Sequence, residues 1–323
     1  MSIDSPKVSI GVPVYNGEAF LRRTLDCLLV QTFEDFEIIV SDNASTDGTE
    51  AICRDYVKRD SRIRYDRLPN NLGANRNFNR LVALSRGAYF KWAAADDYCR
   101  PEFLAAMVRV LDEKPDVVWC HSQSGKIDSY DRVLQIDDPD AEGLSHTTQA
   151  GLPRRHYDSP DVYRRYAGVI LGPSWCADCF GLIRRCALDQ TQLFPACYGS
   201  EKVLLGQLAL IGKYHEVPET LFYQRIHSGA SAKIVSRAGQ SSYANGMQSG
   251  RRLGSMRWAI LRSHCQVVGR SSLSTLDRLR CYGAIVQYLG QFHKWGHVLR
   301  SAWSGRPIKE FPNDIARTLQ VDS

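Results

Sequence analysis

The sequence contains no uninterrupted run of about 18 apolar residues, so no part of it reads as a helix that crosses a membrane. Its opening residues, Met1 to Lys7, lack the basic start and apolar core of a secretion signal. A cytoplasmic location is therefore expected, with peripheral contact at the inner face of the membrane as the further option. A compact cysteine framework is also missing: the ten cysteines are scattered through apolar segments and read as free, packed thiols. Cys176 and Cys179 form a C-x-x-C, but no second such pair follows, which makes zinc the minor reading there. Charge of one sign is scarce. The formal net charge of +6 permits an anionic small partner but is too small and too dispersed for a nucleic-acid footprint. Internal repeats and low-complexity tracts are absent.

What is present is the composition of an ordinary globular protein, with 44% hydrophobic and 24% charged residues in 323. Lys7 to Val14 reads as a buried strand, followed by a turn at Tyr15-Asn16-Gly17-Glu18 and a helix over 19–30. Phe36 to Ser41 is a second strand, Asp42 to Thr49 a polar loop capping a helix to about Arg59, and Arg62 to Leu68 a third strand. This βαβαβ order predicts a parallel sheet covered by helices. A loop over 69–77 feeds a helix to about Ser85; a helix over 101–113 and a strand over 117–121 come later. Residues 122–160, rich in Asp, Gly, Pro and Ser, read as a long excursion near the site, and a helix is expected near 202–211. Segments 247–268 and 275–301 carry apolar residues at helical spacing beside many arginines. They are expected to pack on the domain or on another subunit, a homo-oligomer; a basic amphipathic surface on an anionic membrane is the alternative.

The chain centres on residues 87–101, where an apolar run ends in Asp96-Asp97 ahead of Pro101. Carboxylates at the carboxyl end of a central strand sit where open α/β sheets keep ligands. Such a pair can hold a divalent cation that clamps a diphosphate. The plainer reading is a turn that uses Asp for its side-chain hydrogen bonds.

Taken in order, Val12-Pro13-Val14-Tyr15-Asn16, Val40 to Thr49, Asn70-Asn71-Leu72-Gly73 with Arg76-Asn77, and Ala95-Asp96-Asp97 with Pro101 resemble the family 2 inverting glycosyltransferases. The resemblance spans roughly residues 7–230 and implies a GT-A fold, an α/β architecture with a Rossmann-like, mostly parallel sheet flanked by helices. It divides the chain into a glycosyltransferase domain over 1–240, with a nucleotide-sugar half at 1–121 and an acceptor half at 122–240, and a C-terminal helical region over 241–323. It also implies a nucleotide-diphosphate sugar donor, a UDP-sugar favoured, and a divalent cation, Mn2+ or Mg2+. The acceptor would be a hydroxyl on a glycan, a lipid-linked sugar or a small molecule, in cell-surface polysaccharide or glycolipid assembly.

Residue by residue, the resemblance puts Pro13, Tyr15 and Asn16 against the nucleoside and Glu18 near the ribose, where a favourable helix-start charge is the alternative. Asp42 corresponds to a carboxylate that reads a base N–H. Asn71, Gly73 and Arg76 fall in the loop that approaches the phosphates or sugar; a surface ion pair is the other reading of Arg76. Ala94 stands where the commoner Asp-x-Asp-Asp signature has its first Asp, which puts the cation on Asp97 and turns Asp96 toward the sugar or ribose. Glu201, followed by Lys202, is the only local carboxylate for the catalytic base. Arg225 and His227 fit an Arg-x-His segment that closes over the diphosphate, with His227 as a further metal ligand.

Two rival readings remain. A sugar nucleotidyltransferase would want a basic Gly-rich loop where Pro13 to Glu18 stands. A nucleotide-sugar-binding protein without turnover is encouraged by Ala94 and Lys202.

Overall fold

The computed structural model describes residues 5–135, 157–172, 177–230, 237–246 and 256–290. Within them lies an eight-stranded sheet of order β3-β2-β1-β4-β7-β6-β8-β5. Its strands are β1 (Val8–Val14), β2 (Phe36–Asp42), β3 (Ile63–Arg67), β4 (Tyr89–Trp92), β5 (Tyr98–Cys99), β6 (Val117–Ile127), β7 (Leu182–Arg184) and β8 (Lys213–Arg225). The first four are mutually parallel and β6 runs parallel to β8, whereas β7 is antiparallel to β4 and β6, and β5 to β8. The sheet is thus mostly parallel, as the sequence pattern predicts.

The helices are α1 (Leu21–Leu29), α2 (Thr49–Arg59), α3 (Ala74–Leu84), α4 (Phe103–Glu113), α5 (Val162–Leu171), α6 (Arg185–Leu188), α7 (Glu201–Ile211), α8 (Arg237–Asn245), α9 (Met256–Arg270) and α10 (Thr275–Gly290). Period-2 alternation in β1 sends Val8, Ile10, Val12 and Val14 to one face, where α1, α2 and α4 add Leu25, Ile52 and Met107. On the other face Phe90, Trp92 and Trp119 pack with Leu204, Leu205 and Leu208 of α7 and Leu81 of α3. A third cluster joins Tyr166 and Ile170 of α5 to Leu261, Val268, Ile285 and Tyr288 of α9 and α10. Among the described residues no helix is long and apolar enough to cross a membrane.

Two features of this topology create the site. Strands β2 and β3 lie on one side of β1 and β4 on the other, so the order reverses between β1 and β4, and a crevice opens at their carboxyl ends. The β1–β4 ladder also stops at Gly11 and Trp92, two residues before Pro13. Ala93 N donates to Gly11 O on the β4 side and Asn43 N to Val14 O on the β2 side. By that alternation the N–H that Pro13 lacks faces the side β4 has left, and no ladder bond is lost.

The expected excursion falls largely at 136–156 and the end of the last predicted helix at 291–301, both outside the described residues, as is Cys176. The strand expected at 117–121 instead runs to Ile127 because β8 pairs along it, through register shifts at Ser122, Gln123 and Ser124.

Candidate active site

Four residues from two distant stretches meet at the carboxyl edge. Asp97 is buried, and its Oδ1 accepts the backbone N–H of Arg225 at 3.0 Å, while Thr24 donates to its carbonyl. Burial, and then the charge of Asp96, push the Asp97 carboxyl well above the usual range. Asp96 is the outward member: its Oδ2 lies 2.9 Å from His227 Nε2, and both side chains stay partly exposed. The sequence reading placed the cation on Asp97 with His227; the carboxylate beside that imidazole belongs to Asp96, because Asp97 turns inward to fasten β8. Gly229 N donates to His227 Nδ1 at 3.2 Å, so the neutral ring carries its proton on Nε2 and gives it to Asp96.

Arg225 needs a second correction. Expected on the diphosphate, its side chain is only 1% exposed. Nε donates to Asp96 O (2.7 Å), one terminal nitrogen to Asp128 O (2.9 Å), and the other pairs with Asp131 Oδ1 (2.6 Å). The guanidinium also lies 5.0 Å from the centre of the Phe20 ring, whose other neighbour is the His227 ring at 4.7 Å. Arg225 is a buried clamp between the acidic turn and the turn after β6, with three of its five N–H donors held by those turns.

The loops after β1 and β2 form a second connected group. Asn16, at φ 54°, sits in the left-handed region that Asn tolerates; its N–H donates to Ser45 Oγ and its Oδ1 accepts from Thr46 N. Glu18 Oε2 accepts Gly48 N at 2.6 Å, so this carboxylate caps the start of α2 instead of reaching a ribose. Asp42 is fully buried, and its carboxylate receives Ser45 N, Tyr65 Oη and Arg67 Nε. Through Tyr65 and Arg67 this carboxylate serves as a strut between β2 and β3. The Tyr15 ring remains 47% exposed on this rim, directly beyond buried Pro13.

Asn71 and Gly73 are likewise engaged by the chain itself. Asn71 Oδ1 accepts Asn43 Nδ2 and Gly73 N, and Gly73, at φ +84°, packs on Gly246 just past α8. A Cβ on Gly73 would lie 2.4 Å from Gly246 N, so this close approach is to backbone, not to a phosphate. Gly73→Ala is expected to lower stability by about 1–3 kcal/mol from backbone strain, read as a lower urea midpoint with an unchanged m-value. Arg76 is exposed on α3 and pairs with no carboxylate among the described residues.

Glu201 opens α7. Since α7 is followed after one residue by β8 and packs back on the sheet, its start lies at the edge where β8 and β4 end. Side contacts agree: Asn75 of α3 donates to the carbonyls of Pro195 and Cys197, and Tyr198 meets Tyr243 of α8, the helix whose end rests on Gly73. Burial raises the Glu201 carboxyl above its ordinary value, and among the described residues no cation pairs with it. The site therefore keeps five unengaged or outward groups, Tyr15, Arg76, Asp96, His227 and Glu201.

One buried residue escaped the sequence reading. Lys91 in β4 is fully buried behind Asp97, with Nζ 2.5 Å from Phe180 O and 4.4 Å from the centre of the Phe103 ring. Its positive charge opposes the upward shift of Asp97. The signal was a lysine inside an apolar strand, where an ammonium persists only with partners.

The sheet order, the crevice and the acidic turn are those of a GT-A fold. The model of Glycosyl transferase family 2 matches residues 9–175, just over half of the chain, and the chain belongs to that family. Among relatives, the putative glycosyltransferase EpsH of Bacillus subtilis is 28% identical over 174 residues, 54% of this chain and 46% of that protein. Glycosyltransferase GlyA of Streptococcus pneumoniae is 34% identical over 108 residues, 33% of this chain and 15% of that protein. The match thus spans about half or less of these relatives. Residues 1–349 of S. aureus TarS in complex with UDP-GlcNAc align with a TM-score of 0.61 at 18% identity, over 90% of this chain and 73% of that one. The mannosyltransferase PcManGT from Pyrobaculum calidifontis, in complex with GDP-Man and Mn2+, aligns at 0.52 and 15%, over 94% and 79%. At these identities the likeness is one of fold.

Proposed function

We propose that the protein is an inverting glycosyltransferase that moves a sugar from a nucleotide-diphosphate donor to an acceptor hydroxyl. The observation that carries this reading is the unpaired, burial-shifted Glu201 at the same sheet edge as the outward Asp96–His227 pair. In the transfer, Glu201 takes the proton of the acceptor hydroxyl as its oxygen bonds the anomeric carbon, and the carbon–oxygen bond to the diphosphate breaks with its electron pair leaving on the diphosphate. Tyr15 offers its ring to the base and Arg76 its guanidinium to the phosphates. A UDP-sugar is the first donor to try, since TarS is held with UDP-GlcNAc. A glycan or lipid-linked sugar as acceptor, in surface polysaccharide or glycolipid assembly, fits the family's reach.

Asp96 and His227 are the residues that would hold a divalent cation. One oxygen and one imidazole nitrogen, partly open to solvent, suit Mn2+ better than the oxygen-seeking Mg2+, and diphosphate oxygens and water would complete the shell. When bound, such an ion neutralises charge on the departing diphosphate. Ligation through Nε2 requires the imidazole proton on Nδ1, so the Gly229 contact must open.

The test is a panel of UDP-, GDP- and dTDP-sugars, with and without Mn2+, offered with octyl glycosides as acceptors. Transfer to at least one acceptor with inverted anomeric configuration is expected. Nucleotide-sugar binding without transfer or hydrolysis across the panel would instead identify a binding protein, and neither binding nor turnover would end the proposal.

A further inference from the structure

Lys202 follows the proposed base and takes no part in the transfer itself, yet its charge is out of place. A cation in the first turn of α7 opposes the dipole of that helix, whose amino end is positive. The side chain is buried and leaves α7: Nζ donates to Gly172 O, 3.1 Å away, and lies 5.9 Å from the centre of the Tyr288 ring. Gly172 is the C-cap of α5, a helix with no basic residue of its own in its last turn. The orphan carbonyls and negative dipole end of α5 attract a cation there, and so does the face of the Tyr288 ring in α10. A residue that is unfavourable for its own helix is thus satisfied by two others.

The start of α7 has little local hold. Gly199 precedes it at φ +75°, the N-cap Ser200 makes no side-chain capping bond, and among the described residues the buried Ser200 Oγ has no hydrogen-bond partner. Further contacts of the helix are mostly apolar: Leu204, Leu205 and Leu208 face the sheet, and Val203 meets Ile260 and Val267 of α9. A second polar tether, Gln207 to Gln192 N and Leu193 O, lies more than a turn further along. Apolar burial is non-directional, so the orientation of the first turn rests on the polar tether nearest to it. We infer that Lys202 is a positioning residue for sugar transfer: by joining the first turn of α7 to the carboxyl end of α5 and to α10, it sets the direction of the Glu201 side chain. Successive helical residues point about 100° apart, so fixing Lys202 on α5 and α10 fixes the bearing of Glu201 as well. Through Tyr288, α10 enters the chemistry without contributing a group that touches substrate.

The inference rests on Glu201 as the base, and a double-mutant cycle on the full chain keeps the two apart. Lys202→Met removes charge and donor at nearly constant length, whereas Lys202→Arg keeps both; Lys202→Gln replaces the Met variant if that one does not fold. With the nucleotide sugar and octyl glycoside that the wild type uses, Lys202→Met should lose about ten- to a hundredfold in kcat, the scale of a small misplacement of a reacting group, with donor Kd within about twofold of wild type. Lys202→Arg should recover most of that loss. In the Glu201→Gln background, Lys202→Met should cost nothing further, because a residue that acts through the carboxylate has nothing left to act on. An unchanged kcat in Lys202→Met beside a crippled Glu201→Gln would overturn this inference and leave the base in place. A full further loss in the Glu201→Gln background, a parallel loss of donor affinity, or no recovery with Arg would show a role in stability alone and overturn it too. A full rate in Glu201→Gln would instead bring down the base, and the inference with it.

Discussion

Glu201→Gln is expected to lower kcat for sugar transfer by roughly a hundred- to ten-thousand-fold, the range that positioned proton transfer contributes, while leaving donor affinity and the thermal midpoint nearly unchanged. The amide matches the carboxylate in shape but cannot take a proton. No cation pairs with Glu201 among the described residues, so the substitution orphans nothing. Its pH dependence carries a second check. Burial raises the Glu201 carboxyl, so the inactive protonated form persists to a higher pH than for an exposed Glu. Activity should therefore fall as pH drops through a value above 4.5, and the Gln variant's residual rate should lack that limb. A full rate with Gln at 201 would move the base elsewhere.

Asp96→Asn should cost on the order of a hundred- to a thousandfold in kcat/KM at subsaturating Mn2+, because stabilising the diphosphate's charge is worth several kcal/mol. Added Mn2+ should recover part of it. Asp97→Asn should behave differently. Its buried carboxyl is already pushed toward the protonated form, and an amide oxygen still accepts the Arg225 N–H, so cation dependence should change little. Measuring Mn2+ activation for both variants separates the two acids. If Asp97→Asn, and not Asp96→Asn, lost cation response, the outward carboxylate would be the wrong one.

The sequence patterns that proved legible are those with local causes. The alternation in β1, the apolar spacing of α1 and α4 and the acidic turn each arise within a dozen residues, and their elements stand within one or two residues of expectation. Strand β8 was not foreseen. Its pattern Lys213-Tyr-His-Glu-Val-Pro-Glu is broken by Pro218 and polar residues, and only pairing with β6, through bulges, makes it a strand. Roles were harder to read than positions. Asp42 looks like a ligand because it is acidic at a strand end; Tyr65 and Arg67, which occupy it, come from β3. Arg225 and Asp97 lie 128 positions apart, so nothing local reveals that one fastens the other. Family resemblance names candidate positions, whereas the partner of each charge is decided by long-range packing.

The guanidinium of Arg225 ties the turn at Asp96 to the turn at Asp128 and Asp131, and Arg23 of α1 holds the same Asp131. The acidic turn and the start of the segment after β6 are thus a single casting. Recombination that imports a relative's segment after β6 has its natural seam after residue 134, where Leu134 still bonds back to Lys126. A graft begun before residue 128 would take Asp131 from its arginine and loosen the acidic turn along with the part being exchanged.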